Sequence, residues 1–103
     1  MKPRATGLFP KLCVAQGLPA PVAEFTFHET RKWRFDWAWP EQRIALECNG
    51  GIWVQGRHSR GSGLLKEHEK MNAAAVLGWK ILYATPQNLN GPATFATLKE
   101  ALT

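Results

Sequence analysis

Residues 33–49 read Trp33-Arg34-Phe35-Asp36-Trp37-Ala38-Trp39-Pro40-Glu41-Gln42-Arg43-Ile44-Ala45-Leu46-Glu47-Cys48-Asn49. Successive strand side chains point to opposite faces. Phe35, Trp37 and Trp39 therefore share one face of a first strand, and Ile44, Leu46 and Cys48 share one face of a second. An antiparallel hairpin with Glu41-Gln42 as a two-residue loop sets Trp39 against Ile44, Trp37 against Leu46 and Phe35 against Cys48. All of these pairs are apolar, so the hydrophobic pattern fixes the register. The same register sets Asp36 opposite Glu47 and Arg34 opposite Asn49 on the other face. Two carboxylates about 5 Å apart at Cβ repel each other unless a cation sits between them or one holds a proton. The plain alternative is a wet sheet face. Opposed like charges argue instead for a functional pair. A three-residue loop would place the two acids on opposite faces.

The chain has 103 residues, enough for a single domain over 1–103 with an adequate core and no separate substrate domain. Lys and Arg outnumber Asp and Glu by 13 to 8, a net charge of +5. That balance suits a polyanionic partner, nucleic acid above all, although a merely basic small protein carries the same charge. Cys13 and Cys48 are the only cysteines, and with His58 and His68 they lack the spacing of a zinc site. Reduced, packed thiols in a cytoplasmic protein are expected. No apolar run approaches membrane-spanning length, and the N-terminus lacks the apolar core of a signal peptide, so no membrane partner is expected.

Around the hairpin, residues 8–16 read as a short helix, with Thr6 as its cap and Gly17, Pro19 and Pro21 closing it. Residues 22–28 read as a strand with Phe25 and Phe27 on one face and Glu24, Thr26 and His28 on the other. Beside the hairpin, that strand brings Glu24 or His28 toward the acidic pair; a solvated strand end is the plain alternative. Ile52-Trp53-Val54 briefly extends the sheet, and Gly56-Arg57-His58-Ser59-Arg60-Gly61-Ser62-Gly63 is a basic, glycine-rich loop suited to phosphate contact or simply solvated. Residues 64–77 form the long helix, stopped by Gly78, with Lys66, Lys70, Ala73 and Leu77 in one stripe. Such lysines are usually solvated and paired locally, here with Glu67 and Glu69. Residues 79–84 read as a strand buried on both faces in a parallel arrangement. Residues 93–102 close the chain as a helix with Phe95, Leu98 and Leu102 inward. The tryptophans fall mostly in the core by this parity, and not on a base-stacking platform.

The order helix, three strands, helix, strand, helix, with carboxylates in the middle hairpin, resembles the PD-(D/E)XK nucleases, the restriction-endonuclease-like superfamily. The likeness is greatest to small bacterial and phage-borne members distantly similar to very-short-patch repair endonucleases. It is carried by Arg34-Phe35-Asp36-Trp37-Ala38-Trp39-Pro40, by Ile44-Ala45-Leu46-Glu47-Cys48-Asn49-Gly50-Gly51, by the Gly56–Gly61 loop, and by Glu69-Lys70-Met71-Asn72-Ala73-Ala74 with Leu77-Gly78-Trp79-Lys80. The resemblance implies an α/β fold with an αβββαβ core, a mixed sheet flanked by helices and a C-terminal helix. It implies a Mg²⁺-dependent DNA endonuclease, with Mn²⁺ able to substitute, acting on DNA as a monomer or a homodimer.

Carried over by position, Asp36 and Glu47 are the motif carboxylates that hold the metal, and the backbone carbonyl of Cys48 is a further ligand. Glu24 is a candidate additional ligand. Asn49 stands where the motif has lysine, and an amide supplies no cation. Lys70, then Lys66, are the candidate replacements from the following helix. His58, with an ordinary pKa of about 6.5, is the alternative proton shuttle or an incidental loop residue. Arg34, Arg57, Ser59, Arg60 and Ser62 are the candidate DNA contacts. The competing function, raised by Asn49, is a catalytically impaired nuclease fold that binds DNA or a protein partner.

Overall fold

The computed structural model describes residues 7–49 and 62–103, the side chain of Ser62 excepted. Along the chain run α1 (Leu8–Ala15), β1 (Val22–Thr26), β2 (Arg34–Trp39), β3 (Ile44–Cys48), α2 (Ser62–Val76), β4 (Lys80–Ala84) and α3 (Pro92–Leu102). The strands form one mixed sheet in the order β1-β2-β3-β4. β2 pairs antiparallel with both β1 and β3, and β4 lies parallel to β3. A parallel neighbour needs a crossover connection, and α2 lies in that crossover. The fold is thus α/β, with a C-terminal helix, as expected. Thr6 and Ile52-Trp53-Val54 lie outside the described residues. No described helix is long and apolar enough to cross a membrane.

Two apolar clusters sandwich the sheet. One gathers Trp37, Trp39, Ile44 and Leu46 with Phe9 and Cys13 of α1 and Phe95 and Leu98 of α3. Phe9 and Cys13 are one helical turn apart, which aims both at the sheet. Burial pushes the Cys13 thiol up to about 11, so it is an inert packing group. Both cysteines are free thiols. The other cluster joins Phe35, Ala38, Ala45 and Trp79 to Ala74 of α2, with Phe25, Phe27 and Ile81 packed against it. Alanines on both sides of this contact let α2 approach the sheet closely. Gly78 ends α2 with φ +87°, a left-handed conformation that favours glycine, and the Trp79 N–H donates to the Ala74 carbonyl.

Three expectations need correction. The hairpin turns through Pro40–Arg43, where the Gln42 N–H donates to the Trp39 carbonyl and Arg43 is left-handed at φ +59°. The reversal is still even, so Trp37 pairs with Leu46 and Trp39 with Ile44. Phe35, however, does not share the Trp37 face; it lies in the α2 cluster. The change of face falls between the rungs Ala23↔Trp37 and Phe25↔Phe35. Ala23 packs on the first cluster and Phe25 on the second. Glu24, between them, has φ +50°, a rotation of the chain that period-2 reasoning does not contain. Finally, residues 79–84 are not buried on both faces. Among the described strands β4 lies at the edge of the sheet, and Tyr83 is 59% exposed.

The alanine-lined contact makes a specific demand on volume. Ala74→Leu, at a position with no exposed surface, is expected to destabilise the fold by about 1–3 kcal/mol. Ala75→Leu, on the exposed side of α2, should change stability by less than about 0.5 kcal/mol. Chemical denaturation of the two variants checks this.

Candidate active site

The β2–β3 ladder runs from Trp39↔Ile44 to Trp37↔Leu46. Beyond that rung, side chains take over the bonding between the strands. The Asp36 N–H donates to Glu47 Oε2 at 3.0 Å, and the Cys48 N–H donates to Asp36 Oδ2 at 2.7 Å. Each acid therefore satisfies a backbone amide of the opposite strand, which locks the two carboxylates together where the sheet opens. The expected rung Phe35 opposite Cys48 is replaced by this exchange. Both acids are 4% exposed.

Parity carries Glu47 to the α2 side of the sheet, the side of Ala45 and Ala38. There Lys70 of α2 donates from Nζ to Glu47 Oε1 at 3.0 Å. The ammonium also stands 5.8 Å from the Phe35 ring centroid, so the face change of Phe35 places an aromatic surface beside the lysine. Burial is the largest influence on Glu47 and raises its pKa; the Lys70 charge and hydrogen bond and the Asp36 amide oppose that rise, and the Asp36 charge adds to it. An ionised glutamate here is costly to the protein without a cation.

On the other side of Glu47 stands Tyr83, its partner in the β3–β4 ladder. Burial, then the charges of Glu47 and Glu67, raise the pKa of its phenol. The sequence alone singles out neither residue for this site: Tyr83 lies in an apolar run that reads as core, and Glu67 reads as a local partner of the helix lysines. Placing β4 parallel beside β3 supplied a signal, because it puts some β4 side chain against Glu47.

The remaining candidates are dispersed. Lys66 is exposed on α2. Glu24 accepts from Arg34 at 3.3 Å, so each occupies the other on the β1–β2 side. The Asn49 N–H donates to the Ala84 carbonyl at 2.8 Å, which ties the end of β3 to β4. Arg57, His58, Ser59 and Arg60 lie outside the described residues, as does the side chain of Ser62. Among the described residues, no three His, Cys, Asp or Glu side chains converge as a metal cage.

Asp36 and Glu47 nonetheless suit magnesium. They are hard oxygen donors, and Mg²⁺ is usually held by one or two carboxylates, with water and phosphate completing its shell. A carboxylate oxygen accepts more than one bond, so an amide on one side is compatible with a cation on the other.

No protein-family profile matches the chain, and no solved structure matches it. An uncharacterized protein of Mycobacterium tuberculosis, in strains CDC 1551/Oshkosh and ATCC 25618/H37Rv, is 30% identical over 71 residues, which cover 67% of this chain. The matched region spans only 25% of those relatives' length.

The raised pKa of Glu47 has a definite consequence for stability. The folded chain binds this proton more tightly than the unfolded chain. Between the ordinary glutamate range and the raised value, the stability contributed by this group therefore falls as pH rises. Glu47→Gln lacks that titration. The melting temperature of Glu47→Gln minus that of the parent should therefore increase from the ordinary glutamate range to neutrality. Parallel melting-temperature profiles would contradict the assignment.

Proposed function

We propose that this chain is a Mg²⁺-dependent endodeoxyribonuclease with a restriction-endonuclease-like core, hydrolysing phosphodiester bonds in DNA. The supporting observation is the interlocked pair Asp36 and Glu47 with Lys70 on Glu47 at 3.0 Å. The element order and mixed sheet agree with that core. The surplus of 13 basic over 8 acidic residues favours a polyanionic substrate.

Asp36, Glu47 and the Cys48 carbonyl would hold the metal, which when bound polarises a phosphate and acidifies a water. The chain's own residues do the rest. Backbone amides fix the carboxylate oxygens before substrate arrives, so little reorganisation is needed. Lys70 opposes the burial-driven rise in the Glu47 pKa and brings a positive charge to a site where negative charge builds during phosphoryl transfer. That is the role left vacant by Asn49, and it weighs against the impaired-nuclease reading. The buried strands hold this arrangement on a rigid support. Arg34 and the basic loop with Arg57, His58, Ser59, Arg60 and Ser62 are the proposed DNA contacts. One such site nicks one strand; cutting both strands calls for a homodimer.

Supercoiled plasmid with Mg²⁺ or Mn²⁺ is the direct test. The protein should nick it and stop on addition of chelator. Asp36→Asn and Glu47→Gln should each lose at least about a hundredfold in rate, and Lys70→Met a comparable amount. Retained cleavage in both carboxylate variants would refute the assignment. Salt-sensitive DNA binding with no metal-dependent cleavage on plasmid, single-stranded, mismatched or branched DNA would favour the binding module.

A further inference from the structure

Among the described strands, the sheet ends beside the site. β4 has β3 on one side and no described strand on the other. Tyr83, on that edge, is the ladder partner of Glu47. Neighbouring strands lie about 4.8 Å apart, and partnered residues project from the same face. Burial first, and then the charges of Glu47 and Glu67, raise the pKa of the phenol, so its hydroxyl keeps the proton it would donate. The fold makes little use of the ring. Tyr83 belongs to neither apolar cluster, stacks on no other ring among the described residues, and is 59% exposed.

A phosphodiester entering this site meets two buried carboxylates. Lys70, the described cation nearest to them, is engaged by Glu47. A neutral donor beside the site aids entry without adding another charge that must lose its water. Tyrosine meets that need, since an ordinary phenol keeps its proton at neutral pH. We propose that the Tyr83 hydroxyl donates a hydrogen bond to a non-bridging phosphate oxygen of the bound DNA strand, seating that strand over Asp36 and Glu47. This inference rests on the nuclease reading and adds to it a substrate-binding residue on β4.

The test compares the parent with Tyr83→Phe and Tyr83→Ala. Affinity is read by anisotropy of a fluorescein-labelled duplex with a single-stranded extension, in Ca²⁺. Steady-state cleavage is read in Mg²⁺, and folding by the melting temperature. Tyr83→Phe keeps the ring and loses only the hydroxyl. It should weaken binding and raise KM by about tenfold or more, the effect of one hydrogen bond to a charged group. Its kcat should stay within about twofold and its melting temperature should be unchanged. A Tyr83→Phe protein that binds and cleaves like the parent overturns the proposal, including when Tyr83→Ala alone is impaired, because the ring would then be the contact. A loss confined to kcat overturns it as well. A parent that binds the duplex but cuts nothing, with Tyr83→Phe still binding more weakly, retains the phosphate contact while the nuclease reading fails.

Discussion

The structure turns on an exchange of hydrogen bonds between two acids and two amides. Where the β2–β3 ladder ends, Glu47 accepts from the Asp36 N–H and Asp36 accepts from the Cys48 N–H. Amides at the end of a ladder must find partners when buried, and here the side chains supply them. The carboxylates are thus held by the same strands they hold together. Bonds from amides to ionised carboxylates are among the stronger ones in proteins, which offsets part of the cost of keeping two acids at 4% exposure. Removing either side chain leaves an amide without its acceptor, so structure and chemistry share the same atoms.

Positive charge arrives from a different layer. α2 is brought close by Ala74 against Ala38 and Ala45, and that proximity lets Lys70 reach Glu47. The hairpin helps to hold the helix in place. Arg43, left-handed at the turn, donates to the Leu77 carbonyl at 3.4 Å and lies over the Trp79 ring at 5.4 Å, and its own carbonyl accepts from Lys80. One residue thereby ties the β2–β3 turn to the end of α2 and the start of β4. Glu69, next to Lys70, meets Arg31 at 3.7 Å beyond β1, and Arg31 stacks over Trp33 at 4.0 Å. These exposed contacts contribute little individually, but they tie the middle of α2 to the β1–β2 connection and its C-terminal end to the β2–β3 turn.

Much of this was legible in the residues. The alternation through Trp37, Trp39, Ile44 and Leu46 fixed the register, and Gly78 marked the end of α2. The proximity of Asp36 to Glu47 followed from an even-length reversal, although by a four-residue turn in place of two. The local twist was not legible. Phe35 changes faces at the rung beside which Glu24 takes a left-handed φ, and no apolar pattern announces that rotation. The inner face of α2 was not legible either. Alanines on every side give no clear apolar stripe, and of the described helix residues Ala74 is the buried one while Lys66 and Leu77 are exposed. Tyr83 was hidden for a related reason. An apolar run reads as core until the sheet order shows it on an edge.

In the proposed mechanism Asp36 and Glu47 form one divalent-cation site. Isothermal titration of Mn²⁺ or Mg²⁺ into the protein, in buffers of different ionisation enthalpy, addresses it without substrate. Such a site takes up metal saturably and loses that uptake in Asp36→Asn, with proton release appearing as the pH is lowered into the titration range of Glu47. Absence of heat at millimolar metal, or uptake unchanged in Asp36→Asn, would contradict it.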